Sequence, residues 1–168
     1  MSRRLILVDD LDRPLGFASK KVCHTGKGRR HRAYLVLILN RKGELCLARR
    51  HPSKWLWPGV WDGTVAGHVE EGETYASAAR RRVFEEIGIR PRLKKIDLFP
   101  YTARWKGNGE NELCAIFTAR AEEVEPDPME IDALRWTKDP RGRLTPWLRI
   151  ALLRGAMERG RAGSRRPR

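Results

Sequence analysis

Apolar positions recur along the chain with two different periods. Ala33–Leu39 (AYLVLIL) is a continuous, branched apolar run and predicts a buried strand. After the turn residues Asn40-Arg41-Lys42-Gly43, Glu44–Arg49 alternates and predicts its hairpin partner. Leu5–Val8, Leu15-Gly16-Phe17, Leu93–Tyr101, Leu113–Ala119 and Leu134–Trp136 read as further short strands or apolar segments. From Thr74 the period changes: Ala76, Ala79, Val83 and Ile87 recur at three- and four-residue spacing, a helix that the Thr74 hydroxyl can cap and Gly88 ends. Pro146 opens a terminal amphipathic helix, TPWLRIALLRGAM. KKVCHTGKGRRHR reads as a basic loop, HPSKWLWPGVWDG as a tryptophan-rich loop and EEVEPDPMEID as an acidic one. Strands and helices mix without a regular βαβ alternation, so the expected class is α+β, with helices layered around a mixed sheet.

Length and charge refine this picture. The 168 residues fit one domain, expected over residues 1–153. Residues 154–168 carry six arginines and little that is apolar, and are expected to be a disordered basic tail. Lys and Arg total 35 against 21 Asp and Glu, a formal charge of +14, which favours anionic partners. Much of that excess lies in the tail, and no basic ribbon interleaved with aromatics is present, so generic solubility ranks ahead of nucleic-acid binding. Cys23, Cys46 and Cys114 form no C-x-x-C pair, so neither a disulfide framework nor a cysteine zinc knuckle is expected, and a cytoplasmic setting is. The first apolar run is too short for a signal peptide, and none approaches a membrane span. Oligomeric state is left open.

Gly67–Ile89, GHVEEGETYASAARRRVFEEIGI, brings in chemistry. Positions 82, 85 and 86 share one helix face, where carboxylates converge on a hard cation such as magnesium that also binds phosphate. The competing reading is a pair of surface ion pairs, Arg81–Glu85 and Arg82–Glu86, worth about 0.3–0.5 kcal/mol each. The flanking glycines and Glu73 favour the metal site, since a solvated face needs neither. The spacing G-x5-E-x7-R-E-U-x-E-E-x-G-U, with U aliphatic, strongly resembles the Nudix hydrolase signature: Gly67, Glu73, Arg81, Val83, Glu85, Glu86, Gly88 and Ile89 fall in register. The resemblance implies an α/β/α sandwich, Mg2+ or Mn2+ held by Glu86 and Glu85, and Glu73 bracing Arg81. Only Arg82 departs, standing where that pattern has glutamate.

A second resemblance covers about Leu7 to Trp147. KKVCHTGKGRRHRAY, ARRHPSKWLWPGVW, the Gly67-His68 pair, Arg81-Arg82, FPYTAR, ENELC and TPW are similar to type I isopentenyl-diphosphate isomerase, a Nudix-fold enzyme. It implies a second divalent metal at His24, His31, His68, Glu110 and Glu112. Imidazole suits such an ion, and Glu110 and Glu112 share one face of an extended strand. It also implies a diphosphate clamp of Lys20, Arg50, Lys54 and Arg82, although Lys20 and Lys54 taken alone read as solvated charges. Arg82 thereby gains a purpose, because a guanidinium binds a phosphate oxygen directly. Tyr101, Glu112 and Trp147 match the remaining catalytic and carbocation-facing positions. The likeness breaks at Ala66, where that family has its catalytic cysteine; a methyl group neither donates nor accepts a proton.

Because water attack on phosphorus needs no thiol, the first expectation is a magnesium-dependent hydrolase of an organic diphosphate, with Glu112 or Glu85 as base. An altered isomerase is second, and a non-catalytic phosphate- or RNA-binding module using Arg82 and the basic tail is third. Selectivity is expected in the loops 51–63 and 102–112, with Trp55, Trp57, Trp61 and Trp105 as candidate stacking residues. His51, Cys23 and Cys114 are expected to serve packing or the surface.

Overall fold

The computed structural model describes residues 3–162. Nine strands and four helices follow in the order β1 (Arg4–Val8), β2 (Pro14–Ser19), α1 (Lys20–His24), β3 (His31–Leu39), β4 (Leu45–Arg50), β5 (Trp61–Asp62), β6 (Val65–His68), α2 (Tyr75–Ile87), β7 (Lys94–Trp105), β8 (Asn108–Arg120), β9 (Ile131–Thr137), α3 (Pro146–Leu153) and α4 (Ala156–Ala162). β3 is the spine. It runs parallel to β8 from His31↔Glu112 to Leu39↔Arg120 and antiparallel to β6 from Ala33↔His68 to Val36↔Val65.

Both faces of β3 are covered, which is why its sequence does not alternate. Tyr34, Val36 and Ile38 pack with Val83 and Ile87 of α2 on one side, while Leu35, Leu37 and Leu39 pack with Leu148, Ala151 and Met157 of α3 and α4 on the other. The outcome is the α+β class expected, an α/β/α sandwich around a mixed sheet. The α2 boundaries follow the predicted signals: Thr74 caps Ser77 N–H within a capping box, and Gly88 closes the helix with φ 71°.

Four local expectations change. The basic loop contains α1, which Ser19 caps at Val22 N–H and which buries Cys23 and His24. The β3–β4 hairpin pairs only at Leu39↔Leu45, after which β4 leaves β3 and pairs along its length with β9. Residues 102–112 are not a loop: β7 and β8 stay paired out to Trp105↔Asn108, and Lys106 and Gly107, with φ 44° and 80°, make the turn. Residues 154–162 are folded rather than disordered. α4 buries Ala156 and Met157, and Arg159 pairs with Asp97 at 2.9 Å. The rest of the expected tail, 163–168, lies outside the described residues. No helix among the described residues is long and apolar enough to cross a membrane.

Candidate active site

Three histidines from three elements meet around one carboxylate. His24 ends α1, His31 begins β3 and His68 ends β6, and their ring centroids lie 4.8–5.0 Å apart. The parallel register sets Glu112 of β8 beside His31, and its Oε1 is 2.9 Å from His68 Nε2, 3.3 Å from His31 Nε2 and 3.8 Å from His24 Nε2. The ligand atoms of these four residues all lie within 4.8 Å of one another. Glu110, two residues earlier on the same strand face, brings Oε2 to 3.1 Å from His24 Nε2 but stands outside that set of four.

The tautomers follow from the outer contacts. His24 Nδ1 meets Lys20 O at 2.7 Å and His31 Nδ1 meets Arg29 O at 2.8 Å. A carbonyl only accepts, so both Nδ1 atoms carry a proton, and in the neutral ring each Nε2 turns its lone pair inward. Those two buried Nε2 atoms have no hydrogen-bond partner among the described residues, nor has Glu110 Oε2. Converging acceptors around a carboxylate call for a cation, and imidazoles with a carboxylate suit a divalent transition metal. The residues therefore fit the ion that the sequence implies.

The electrostatics express the same demand. Burial lowers the His24 pKa, but the Glu110 and Glu112 carboxylates close to its Nε2 outweigh it and raise the value to about 9. Burial holds His68 down to about 3 despite Glu112. Burial, followed by the neighbouring Glu112 charge, raises Glu110. Glu112 itself is held well below the usual carboxylate range, since the three imidazoles overcome its burial. The Tyr101 hydroxyl donates to Glu112 Oε2 from the adjacent strand β7, and burial with the Glu112 charge keeps that phenol protonated.

A cavity of about 350 Å³ opens onto this centre, and Lys20, Arg50, Lys54 and Arg82 all line it. Arg50 donates to Leu56 O at 2.9 Å and Trp57 O at 3.1 Å and pairs with Asp62 at 3.3 Å. Burial pushes Lys54 down to about 8 against the pull of Glu86. Arg82 pairs with Glu86 at 2.6 Å, Glu85 at 3.0 Å and Glu130 at 3.2 Å. Its guanidinium thus neutralises the helix carboxylates that the sequence assigns to a metal. The two differ in setting. Glu86 is buried, and burial raises its pKa against Arg82 and Lys54. Glu85 is 37% exposed and pairs with Arg81 and Arg82, and neither carboxylate lines the cavity. Glu73 braces Arg81 at 2.7 Å and 3.0 Å, as expected of that pair.

The remaining wall is aromatic and apolar. Trp55, Leu56, Ala66, Tyr101 and Trp147 line it, and Trp147 lies 5.9 Å from Tyr101. Of the other candidate tryptophans, Trp57 packs on Trp105 at 4.7 Å, and Trp61 sits under Arg49 and Arg135; none of these lines the cavity. Cys114 also reaches the cavity wall, where burial raises its thiol well above the ordinary value. Cys23 is buried and pushed up to about 11 by that burial, and His51 bonds Ser53 at 2.7 Å away from the cavity.

Sequence reasoning missed three residues. Asp62 accepts from Gly63 N–H at 2.7 Å, Thr145 Oγ1 at 2.9 Å and Trp147 Nε1 at 2.7 Å, and so fixes both Trp147 and Arg50. Its Asp-Gly dipeptide reads as punctuation, which hides it. Glu130 pairs with Lys54 and Arg82 from what reads as an acidic loop. Tyr34 lies inside an apolar run, yet lines the cavity.

Comparison with known proteins agrees with this geometry. The NUDIX domain model matches residues 29–138. The isopentenyl-diphosphate Delta-isomerase of Haloarcula marismortui is 36% identical over 169 residues, covering 90% of each chain, and that of Klebsiella pneumoniae is 34% identical over 140 residues, covering 79% of this chain and 74% of the relative. Among solved structures, DR0079 from Deinococcus radiodurans superposes with a TM-score of 0.66 at 24% identity over 96% of this chain and 99% of its own. A MutT Nudix hydrolase from Burkholderia pseudomallei gives 0.63 at 25% over 74% and 97%. The chain therefore belongs to the Nudix superfamily, in its isopentenyl-diphosphate isomerase-like branch.

Proposed function

We propose that this enzyme isomerises a short alkenyl diphosphate of the isopentenyl type. The observation that carries this reading is the position of Glu112, which belongs to the histidine centre and also accepts the Tyr101 hydroxyl against the aromatic wall. Proton transfer to an alkene carbon needs a positioned acid and aromatic faces beside the developing positive charge. Glu112, once protonated, gives that proton to the alkene carbon, the Tyr101 hydroxyl stabilises the carboxylate left behind by donating to it, and the Trp147 ring faces the hydrocarbon. A divalent cation at the centre supplies positive charge that holds the carboxylate and imidazoles together. Lys20, Arg50, Lys54 and Arg82 bind the diphosphate, and Arg82 exchanges its Glu86 contact for phosphate oxygens. Magnesium or manganese is the cation proposed for the substrate side at Glu86. At position 66 a methyl group accepts no proton, so the second proton leaves to water in the space beside Ala66, and turnover is slow.

This order reverses the sequence ranking, because the isomerase-type centre is assembled and Arg82 occupies the helix carboxylates. Diphosphate hydrolysis remains the second reading, favoured by Ala66 itself. Purified protein with magnesium and isopentenyl diphosphate separates the two when alkene isomerisation and phosphate release are followed in parallel. The expected product is dimethylallyl diphosphate without phosphate release, formed faster by Ala66→Cys. Phosphate release without the isomer, in the wild type and in Ala66→Cys alike, would sink the isomerase reading.

A further inference from the structure

One buried polar group that lines the cavity has neither a partner nor a role in the chemistry described above. Tyr34 is 1% exposed, and its ring is wedged between the sheet and α2, packed among residues such as Val36 and Val83. Its hydroxyl has no hydrogen-bond partner among the described residues. A phenylalanine ring would fill the same apolar slot without stranding an oxygen, so the hydroxyl is carried at a cost to the fold. The ring is directed to the cavity by the strand register, which sets Tyr34 opposite Gly67. A Cβ at Gly67 would come within 2.6 Å of the Tyr34 hydroxyl, so the bare glycine backbone makes the room that this oxygen occupies. Both residues line the cavity together with Arg82.

The hydroxyl is a donor in search of an acceptor. Burial, and after it the charge of Glu86, raises the phenol well above its ordinary value, while Arg82 and Arg81 act in the opposite sense. It therefore keeps its proton, and it shares the cavity wall with Arg82, whose guanidinium pairs with Glu86 of the same helix. We propose that Tyr34 is a substrate-binding residue whose hydroxyl donates to a phosphate oxygen of the diphosphate held by Arg82 beside Glu86. This rests on the reading of the cavity as a diphosphate site. It adds to the four cationic side chains a neutral donor, whose contribution is far less sensitive to salt than theirs.

The test pairs ligand binding with stability, because the proposal moves them independently. Inorganic diphosphate in excess magnesium is titrated into the wild type and Tyr34→Phe by calorimetry, at low and high salt, and both proteins are melted without ligand. The expected result is a Kd weakened by about tenfold in the variant, equivalent to about 1.4 kcal/mol, with a similar factor at both salt concentrations. The ligand-free Tm is expected to be unchanged or raised. A Kd within threefold of wild type overturns the assignment, as would be seen if a bound water alone satisfies the hydroxyl. A fall in ligand-free Tm overturns it as well, since the hydroxyl would then serve the fold. If the wild type itself binds no diphosphate, the reading of the whole cavity fails; if only the difference between the proteins is missing, the Tyr34 assignment alone fails.

Discussion

Asp62 joins the stability of the fold to the shape of the cavity, and substitutions there should separate two effects. One of its oxygens accepts from Gly63 N–H, Thr145 Oγ1 and Trp147 Nε1, and the other faces Arg50 at 3.3 Å. Burial raises its pKa, with Arg50 and the three donors opposing. Asp62→Ala strands donors that are buried, Thr145 at 0% and Trp147 at 5% exposure. Each stranded donor costs about 1–3 kcal/mol, so a loss on the order of 3–6 kcal/mol is expected after local relaxation, a large part of a typical domain's 5–15 kcal/mol. Asp62→Asn keeps an acceptor oxygen for the three donors and removes the cost of burying a charge, but turns an N–H group toward Arg50. Its expected loss is about 1–2 kcal/mol. Urea unfolding, read as the midpoint at constant slope, measures both variants. A loss below about 1 kcal/mol for Asp62→Ala, or a larger loss for Asn than for Ala, would refute the reasoning that this carboxylate acts mainly as an acceptor hub.

Met157→Ala, at 4% exposure in α4, should cost about 2–4 kcal/mol by chemical denaturation, and a loss near zero would return this segment to the status of a tail. Asp97 is held below the usual carboxylate range by Arg154 first, against the effect of its burial, and then by Arg159. Since its folded pKa is depressed, its contribution is present above the ordinary value of about 4 and disappears as pH falls below it. Asp97→Asn should therefore lose about 1 kcal/mol or less near pH 7, and the gap to wild type should close toward pH 2. Gly67→Ala should lower the Tm through its 2.6 Å approach to the Tyr34 hydroxyl, and adding Tyr34→Phe should recover part of the loss.

Signals carried by a repeated local pattern were legible in the sequence. The apolar spacing of α2, its Thr74 cap and its Gly88 stop each rest on backbone needs that few residues meet. The alternation of Glu110 and Glu112 placed both on one strand face, and three of the chain's four histidines met as the motif resemblance implied. Elements that depend on distant partners were not legible. α1 has only five residues, too few to show a period, and is fixed by a serine cap and the burial of Cys23 and His24. The arginines of α4 read as solvated, yet Arg120 donates to Gly160 O and Arg159 pairs with Asp97, which draws a basic segment onto the sheet. The β7–β8 turn uses Lys106-Gly107 instead of the stronger Asn-Gly or Asp-Gly signal, so strand continuation beyond Tyr101 was hidden. Tyr34 was invisible for a related reason: within AYLVLIL its ring satisfies the apolar pattern, and only the fold reveals where the hydroxyl ends.

The account depends on His24, His31, His68 and Glu112 forming a divalent cation centre beside the basic clamp. Crystals soaked in manganese and measured at the manganese absorption edge test this directly. An anomalous peak bound by the three Nε2 atoms and Glu112, and lost in His31→Gln, is the expected result. Manganese bound elsewhere on the protein, with no peak among these four residues, would contradict it.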